Sequence, residues 1–482
     1  MRISDEVRRL GKKWATNAGW PKRLEWLEIH NLRGWTGQRV EFKYPIVAIV
    51  GENGSGKSTI IQAAASVYRG ERSKTGKFAS EFFPSTAWDK VENAVIRYGY
   101  RQADSVREGR VSKPTSRWLG NVKRPIRAVS YIDLTRIQPV SARVGYAKIA
   151  KTKHRETSAE PFDQRRVQRL SEVLGRSYDA ARMALSNVDA KRYMPVLSKK
   201  HASYSGFHQG AGETTIAELL QADMPKCGLI LIDEIESSLH PRAQRRLIRD
   251  LAARCRDSDL QILLTTHSPY VLEELPQEAR IHILETKGGR QIVEGVSPQF
   301  AMTKMDDEPH PECDLYVEDD AARVMLNEIL ARHAKNLFPR CVLIPSGASS
   351  VGMALGQMVT QKRFPRPSCV FLDGDNAITP GCSLMPGGDA PERVVFEALS
   401  KTNWGDVWSH IKRDTSEVTD ACEAAMTLGD HHEWVRSAAN QLMCGGDVLW
   451  QAMCAEWSDR ILQPHEADEI VKPIEDALNG LG

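Results

Sequence analysis

The pattern of apolar and polar residues predicts a sheet with helices in the first three hundred residues. Residues 24–50 alternate and then become continuously apolar at 46–50, which predicts two or three strands, the last of them buried. A glycine-rich turn and a helix over 58–69 follow. Further strands are predicted at 91–101, 129–134, 228–233 and 260–266. Because the later strands are short, apolar and separated by helical segments, we expect a mostly parallel sheet of the α/β class.

A second α/β pattern begins after the polar, acidic stretch 303–313. It consists of a strand at 314–317, a helix at 321–335, a strand at 341–344, a helix at 350–360 and a strand at 369–372. The pattern after residue 400 is helical and rich in tryptophan, and residues 1–20 favour a short amphipathic helix. We therefore predict three regions, 1–305, 312–400 and 401–482.

Composition narrows the class of protein. A chain of 482 residues is too long for one core, so two or three domains are expected. No run of about 18 apolar residues exists and the N-terminus lacks an apolar signal segment, so we predict no membrane span and a cytoplasmic location. The nine cysteines are scattered without a CxxC pair, which favours reduced thiols over a disulfide framework or a cysteine zinc site.

Charge is distributed unevenly along the chain. The net charge is only +3, yet residues 101–200 hold 23 Lys and Arg against 9 Asp and Glu. We predict a basic helical insertion over about 101–205, and such a segment is a candidate surface for the phosphates of a nucleic-acid partner. The alternative is a solvated insertion with its Lys and Arg on the outer face.

A glycine-rich loop after the buried strand has the spacing of a phosphate-binding loop. Residues 51–58, GENGSGKS, fit GxxxxGK[ST] between a strand and a helix. The predicted nucleotide-binding residues are Asn53, Gly54, Ser55, Gly56, Lys57, Ser58 and Thr59. In such a loop the backbone N–H groups surround phosphate oxygens, Lys57 reaches the outer phosphates, and the Ser58 hydroxyl ligates Mg²⁺. The loop predicts ATP and Mg²⁺ as cofactors.

Two acids end the strand at 229–233. Asp233 is suited to hold Mg²⁺ and Glu234 to orient or deprotonate the attacking water. The alternative is a strand that ends in acids without a catalytic role. The phosphate-binding loop that contains Lys57 favours the catalytic interpretation.

The chain resembles the ABC-type ATPase heads of the SMC, RecF and OLD (overcoming lysogenization defect) families. The resemblance lies in three segments that occur in this order: GENGSGKST, LILIDEIESSLHP and LLTTHSP. The resemblance implies that 236–241 form the D-loop and that His267 is the switch histidine near the γ-phosphate. The candidate for the signature loop that contacts ATP across a dimer of heads is then GAGE, with Gly210, Gly212 and Glu213 as its binding residues. The alternative is an ordinary glycine turn before a helix. Gly210 replaces a common serine. The Q-loop is poorly marked, with Gln138 as its candidate. A homodimer or higher homo-oligomer through the heads is implied.

The later strand at 369–372 ends in Asp373 and Asp375, with one glycine between them. The strand at 314–317 ends in Glu318. If these strands are neighbours in a parallel sheet, the three carboxylates converge at its carboxyl edge. Oxygen ligands favour Mg²⁺ or Mn²⁺ over zinc, so we predict a metal site there. A structural or regulatory acidic cluster is the alternative.

A glutamate after a first strand and DxD after a later one resemble the TOPRIM fold of topoisomerases, primases and OLD-family nucleases. The resemblance implies metal-dependent phosphodiester cleavage at Glu318, Asp373 and Asp375. A second acid expected four residues after the glutamate is absent, because position 322 is Ala. The candidate replacements are Asp319 and Asp320, the candidates for a second metal site are Glu392 and Glu397, and a downstream lysine is marked only by Lys401.

Together these features predict an OLD-like α/β protein, with an ABC-type head over 1–305, a TOPRIM domain over 312–400 and a helical end. The resemblance implies a nucleotide-gated anti-phage nuclease. The alternative is an ATPase sensor or scaffold with an inert TOPRIM that controls a separate effector protein. A third interpretation is a RecF-like DNA-repair ATPase.

Overall fold

The structure is a computed structural model that describes residues 3–16, 19–70, 77–134, 155–187, 193–200, 202–286, 289–308 and 310–480. It contains two compact units, Met1–Asp307 and Glu308–Gly482. The division falls within the stretch 303–313, where the acidic sequence indicated a boundary. No helix among the described residues is both long enough and apolar enough to cross a membrane.

The first unit contains both sheets and helices. Its described strands are β1 (Lys22–Leu32), β2 (Trp35–Glu41), β3 (Ile46–Val50), β4 (Ala94–Gln102), β5 (Ser105–Lys113), β6 (Val129–Asp133), β7 (Glu156–Pro161), β8 (Ala180–Ser186), β9 (Met194–Lys199), β10 (Ala202–Ser205), β11 (Leu229–Asp233), β12 (Gln261–Thr265), β13 (Arg280–Thr286) and β14 (Gly289–Glu294). Its described helices are α1 (Asp5–Ala15), α2 (Lys57–Val67), α3 (Ala79–Phe82), α4 (Gln164–Leu174), α5 (Ala211–Gln221), α6 (Pro241–Ser258), α7 (Pro269–Glu273) and α8 (Pro298–Thr303). Short 3₁₀ turns lie at Asn121–Lys123 and Gln277–Ala279.

The centre of this unit is a six-stranded sheet in the order β14-β13-β3-β12-β11-β6. All neighbouring pairs are parallel except the β13–β14 hairpin. Strands β3, β11 and β12 are buried along their whole length, as their continuous apolar runs predict. Because β12 lies between β3 and β11, the loops that follow these three strands meet at one edge of the sheet.

The described regular structure of the segment predicted as a basic helical insertion consists mainly of strands, so the prediction that it is helical is wrong. Strand β5 completes an antiparallel sheet in the order β2-β1-β4-β5, and β7 to β10 form a second antiparallel sheet. Within 101–205 the one described α-helix is α4. The run Ala180–Ser186 is rich in residues with high helix propensity, but it pairs with strands on both sides, and tertiary pairing overrides intrinsic propensity. Gln138 lies outside the described residues.

The second unit carries a small parallel sheet and many helices. Its described strands are β15 (Cys313–Val317), β16 (Cys341–Pro345), β17 (Ser368–Leu372) and β18 (Ser383–Leu384). Its described helices are α9 (Asp320–His333), α10 (Ser349–Thr360), α11 (Pro391–Ser400), α12 (Val407–Ile411), α13 (Thr415–Met426), α14 (Trp434–Gln441), α15 (Gly446–Arg460) and α16 (Pro464–Leu478). Short 3₁₀ turns lie at Phe338–Arg340 and His431–Glu433.

The sheet of the second unit has the order β16-β15-β17-β18, and all its neighbouring strands are parallel. The pairing of β15 with β17 places the residues after Val317 beside those after Leu372. The helices after residue 400 share the core of this sheet. Phe396 of α11 packs against Trp404 and Trp434, and Trp450 Nε1 donates to the Ala321 carbonyl at 3.1 Å. The described helical end is therefore part of the same unit.

Candidate functional site

The phosphate-binding loop joins β3 to α2. Gly51 and Gly56 have φ of 154° and 101°, which a residue with a side chain adopts only at a cost. A methyl carbon added at the exposed Gly54 would meet no atom within 4 Å, so this part of the loop is open to solvent. Lys57 Nζ donates to the carbonyls of Gly51 at 2.9 Å and Glu52 at 2.8 Å. The lysine therefore lies inside the loop, where phosphate oxygens would replace these carbonyls.

The remaining predicted loop residues divide into exposed and buried ones. Asn53 is exposed, Ser55 and Thr59 are buried, and the Ser55 hydroxyl has no hydrogen-bond partner among the described residues. An unpartnered buried hydroxyl within a phosphate-binding loop is the kind of group that a ligand satisfies.

Asp233 lies at the end of β11 and faces the loop. Its Oδ1 lies 3.2 Å from Ser58 Oγ and accepts from Thr265 Oγ1 at 2.6 Å. Its Oδ2 accepts from the Tyr131 hydroxyl at 3.4 Å. A serine hydroxyl next to a buried carboxylate is a donor set that suits Mg²⁺. The residues present therefore fit Mg²⁺ together with a polyphosphate.

Glu234 and His267 lie at the same edge of the sheet. Glu234 has φ of 50°, and its N–H donates to Thr265 Oγ1 at 2.8 Å. The N–H of His267 donates to Glu236 Oε1 at 2.6 Å, while its ring Nε2 is buried without a partner among the described residues. Burial, with a smaller contribution from the Lys57 charge, lowers the pKa of His267 to about 4. The ring is therefore neutral at pH 7.

Burial and the nearby carboxylates have opposite effects on the pKa of Lys57. Burial lowers its pKa, and the carboxylates of Glu234, Asp233 and Glu236 act in the opposite direction. Burial also raises the pKa of Glu236. The structure thus brings together the predicted lysine, acids and histidine around one open loop.

The GAGE loop forms the start of α5. Gly210 precedes the helix, and Glu213 Oε2 accepts from its N–H at 3.2 Å. Glu213 Oε1 accepts from the hydroxyls of Tyr178 at 2.6 Å and Tyr204 at 2.9 Å. Glu213 is thus held within its own chain. A methyl carbon at Gly212 would lie 2.9 Å from the Ser238 carbonyl oxygen, so the loop packs tightly on residues 236–241.

Two family models of known proteins match parts of the first unit. A family model described as "AAA domain, putative AbiEii toxin, Type IV TA system" matches residues 214–273, and a second, described as "AAA domain", matches residues 27–161. No curated protein matches the chain. Neither of these two models extends into the second unit.

Two similar solved structures are head domains of SMC proteins. The SMC head domain from Thermotoga maritima is 16% identical, with a TM-score of 0.34, over 56% of this chain and 98% of that one. The Smc head domain with an extended coiled coil bound to the C-terminal domain of ScpA, from Pyrococcus furiosus, is 13% identical, with a TM-score of 0.35, over 58% of this chain and 98% of that one.

The two family models cover the loop containing Lys57 and the strand ends containing Asp233 and His267. The chain therefore contains an α/β P-loop ATPase domain of the AAA type. Such domains bind ATP and usually use Mg²⁺.

A second set of acids converges in the other unit. Glu318 Oε1 accepts from the N–H of Asp373 at 2.9 Å and from Asn376 Nδ2 at 2.8 Å. Asn376 Nδ2 also donates to Asp375 Oδ1 at 3.2 Å. Asp373 Oδ1 is buried without a hydrogen-bond partner among the described residues. The structure thus brings Glu318, Asp373 and Asp375 to one edge of the parallel sheet.

The carboxylates of this cluster repel one another, and this repulsion adds to the effect of burial on their pKa values. The pKa of Asp373 is raised to about 8, chiefly by burial and then by Glu318, Asp319, Glu392 and Asp375. Burial raises the pKa of Glu318 as well. A divalent cation compensates this kind of charge concentration, and oxygen ligands suit Mg²⁺ or Mn²⁺.

The structure separates the candidate replacements for the acid missing at 322. Ala322 is fully buried, and its N–H donates to Asp319 Oδ1 at 2.9 Å. Asp320 pairs with Arg323, and its side chain is 79% exposed. Asp319 therefore caps α9 and contributes to the raised pKa of Asp373, whereas Asp320 faces solvent.

The other candidates also lie in different environments. Glu392 at the start of α11 is buried and close enough to act on the pKa of Asp373, whereas Glu397 and Lys401 are exposed. Asp319 and Glu392 therefore lie within electrostatic range of Asp373.

Sequence reasoning missed several residues of both sites. Thr265 and Asn376 connect pairs of acids, and Tyr131 reaches Asp233 from the edge strand β6. Thr265 and Asn376 could have been found because each is a polar residue at or just after the end of an apolar strand. Tyr131 gives no such signal, because its role depends on the pairing of β6 with β11.

Proposed function

We propose that this chain is an OLD-like defence protein in which ATP binding and hydrolysis by the first unit control metal-dependent phosphodiester cleavage of nucleic acid by the second. The observation that supports cleavage is the acidic cluster, in which Glu318 contacts the N–H of Asp373 while Asp373 Oδ1 is buried and unpartnered. An unpartnered buried carboxylate oxygen is costly, and a cation removes that cost. The TOPRIM-like order of the acids along the chain agrees with this assignment.

The proposed roles follow from the contacts. Glu318, Asp373 and Asp375 hold Mg²⁺ or Mn²⁺, which when bound supplies an activated water and stabilises the displaced oxygen. Asn376 positions Glu318 and Asp375 through its amide group.

The first unit supplies nucleotide control in this proposal. Lys57 and Ser58 bind the phosphates and Mg²⁺ with Asp233, Glu234 orients the water, and His267 lies near the outer phosphate. Two heads form a homodimer in which the loop 210–213 of one contacts the nucleotide of the other. The proposed location is the cytoplasm.

The basic segment 101–200 is the proposed contact for nucleic acid. Its described strand β5 exposes Arg107, one of the residues that give the segment its positive charge. Phosphate contacts of this kind are independent of base sequence and weaken with salt.

A second candidate function is an ATPase sensor whose acidic cluster is inert and which controls a separate effector protein. The observation in its favour is that position 322 carries a buried alanine, while Asp319 Oδ1 is engaged in capping α9. The cluster then has fewer free carboxylate oxygens with which to hold two metal ions.

Cleavage of plasmid DNA and of RNA by the full chain, with Mg²⁺ or Mn²⁺ and with or without ATP, tests the proposal. We expect Asp373→Asn to lower metal-dependent cleavage by at least ~100-fold, because the loss of a ligand exceeds the 10- to 100-fold effect of supporting residues. Asp320→Asn is the matched control and retains cleavage, because Asp320 faces solvent. Equal cleavage by the wild-type chain and Asp373→Asn would exclude the cluster as the site. ATP hydrolysis without cleavage of either polymer would favour the sensor.

A further inference from the structure

Two histidines and a glutamate converge in the second unit on the side of α11. Glu392 is the second residue of α11, and His431 and His432 belong to the 3₁₀ turn His431–Glu433. One ligand atom from each of the three side chains lies within 4.8 Å of the others. His432 Nδ1 lies 3.4 Å from Glu392 Oε1. The three side chains are therefore spaced so that small side-chain rotations would bring them to one ion.

The glutamate of this group has an unsatisfied oxygen. Glu392 is 5% exposed, and its Oε2 is buried without a hydrogen-bond partner among the described residues. His432 contacts the other oxygen, so this contact leaves Oε2 unsatisfied. A buried carboxylate oxygen without a partner is rare, and bound cations are one common reason for it.

Ring contacts keep the two histidines close together. Their rings lie 4.0 Å apart between centroids, and the ring of His431 meets the ring of Trp434 edge-on at 6.4 Å. Trp434 is buried, and its Nε1 donates to the Leu428 carbonyl at 2.9 Å. The side chain of His432 is 60% exposed, so an ion can reach the group from solvent.

The donor set selects the kind of ion. Two imidazole nitrogens and one carboxylate oxygen suit Zn²⁺ and similar transition metals, whereas Mg²⁺ prefers oxygen ligands alone. Three protein ligands leave a fourth position for water in a tetrahedral site. We propose that Glu392, His431 and His432 form a binding site for a transition-metal ion of the Zn²⁺ class, separate from the cluster of Glu318, Asp373 and Asp375.

Binding requires a small contraction of the group. Ligand atoms around tetrahedral zinc lie about 3.3 Å apart, given bond lengths of about 2.0 Å. Glu392 and His432 are already at that separation, and the partly exposed His431 needs the larger shift. The bound ion would join α11 to the turn before α14, so we also expect it to raise the thermal stability of the second unit.

Titration of the chelator-stripped full chain with Zn²⁺ by calorimetry, and with Co²⁺ by absorption spectroscopy, tests the site. We expect a Zn²⁺ binding event of one ion per chain that excess Mg²⁺ does not displace, and visible Co²⁺ bands of a nitrogen- and oxygen-ligated ion. His432→Ala should lower the affinity at least ~10-fold, since even residues that only support a metal ligand have effects of this size. This variant removes a surface side chain, so it is expected to fold. His465→Ala, at an exposed histidine of α16, is the matched control and keeps the affinity.

Three results would overturn the proposal. The first is equal Zn²⁺ affinity of the wild-type chain, His431→Ala and His432→Ala. The second is loss of binding in Asp375→Asn with no loss in His432→Ala, which would place the ion at the acidic cluster. The third is a thiolate-to-cobalt charge-transfer band, which would place the ion on cysteines. None of these readouts depends on cleavage of nucleic acid, so the metal site and the proposed nuclease can fail separately.

Discussion

The hydroxyl of Thr265 connects the two acids that follow β11. It donates to Asp233 Oδ1 at 2.6 Å and accepts from the N–H of Glu234 at 2.8 Å, so it fixes both residues at once. We expect Thr265→Val to lower the rate of ATP hydrolysis ~10- to 100-fold, the range for residues that orient metal ligands. Steady-state ATPase assays measure this effect.

Thr265→Ser is the control for that prediction, because it retains the hydroxyl and removes only a methyl group. It should keep an ATPase rate close to that of the wild-type chain. An equal loss in the serine and valine variants would mean that packing of the methyl group, and not the hydroxyl, supports the site.

His282 on β13 makes the stability of the first unit depend on pH. Burial, followed by the charges of Lys304 and Lys57, lowers the pKa of His282 to about 4, against about 6.5 in an unfolded chain. The unfolded state therefore binds a proton between these values and the folded state does not. The free energy of unfolding therefore has its full value above about pH 6.5. It decreases by up to about 3 kcal/mol as the pH falls towards 4.

Denaturant unfolding of the wild-type chain and of His282→Phe between pH 7.5 and 4.5 measures this contribution. The phenylalanine keeps a ring against Phe300, which His282 meets edge-on at 6.0 Å. We expect the variant to lose less stability than the wild type as the pH falls. His267, whose pKa is lowered in the same direction, accounts for part of the remaining slope. Identical slopes in the two proteins would contradict the prediction.

At the scale of elements, the start of α5 is sensitive at one glycine and tolerant at another. A methyl carbon at Gly212 would lie 2.9 Å from a backbone carbonyl of Ser238, whereas one at Gly210 would meet no atom within 4 Å. We expect Gly212→Ala to displace the start of α5 from residues 236–241 and to destabilise the unit by ~1–3 kcal/mol, the typical cost of overpacking. Gly210→Ser should be tolerated.

Thermal unfolding and ATPase assays on the two variants test this difference. We expect Gly212→Ala to lower both the unfolding midpoint and the ATPase rate, and Gly210→Ser to leave the midpoint unchanged. Equal midpoints for the two variants would mean that Ser238 moves away without cost.

The elements differ in how far their sequence predicts them. Strands β3, β11, β12, β15 and β17 were predicted because each contains a short, mostly apolar run bounded by glycine or polar residues, which favours a buried strand. Strands β7 to β10 were missed because the segment that contains them is basic and β8 is rich in residues with high helix propensity. The β7–β8 and β8–β9 pairings also join segments that are separated along the chain. The same limit applies to His431 and His432, whose relation to Glu392 exists only after α11 and α14 pack together.

At the scale of the whole molecule, the two units have separate cores. The sequence predicted a further division at residue 400, because no chemical motif follows it. Phe396 of α11 instead packs against both Trp404 and Trp434. The residues after 400 therefore share one hydrophobic core with α11. The tryptophans after residue 400 could have indicated a buried core. The residues they pack against cannot be predicted from the local sequence pattern.

The proposed dimer is a property of the whole molecule, and one substitution makes it measurable. Glu234 is proposed to orient the attacking water, so Glu234→Gln should bind ATP without hydrolysing it. The start of α5 offers open space at Gly210, which a nucleotide held by a second chain can occupy. We therefore expect Glu234→Gln to have twice the monomer mass by light scattering with ATP and Mg²⁺, and the monomer mass without nucleotide.

Two further variants separate ATP binding from contact between heads. Glu234→Gln combined with Lys57→Ala should stay monomeric because it cannot hold the phosphates. Glu234→Gln combined with Gly212→Ala should bind a fluorescent ATP analogue but stay monomeric, because the displaced loop cannot reach the partner. A mass that ATP leaves unchanged in Glu234→Gln, with ATP binding shown independently, would contradict the dimer. In that case the loop 210–213 would act only within its own chain, where Glu213 already contacts Tyr178 and Tyr204.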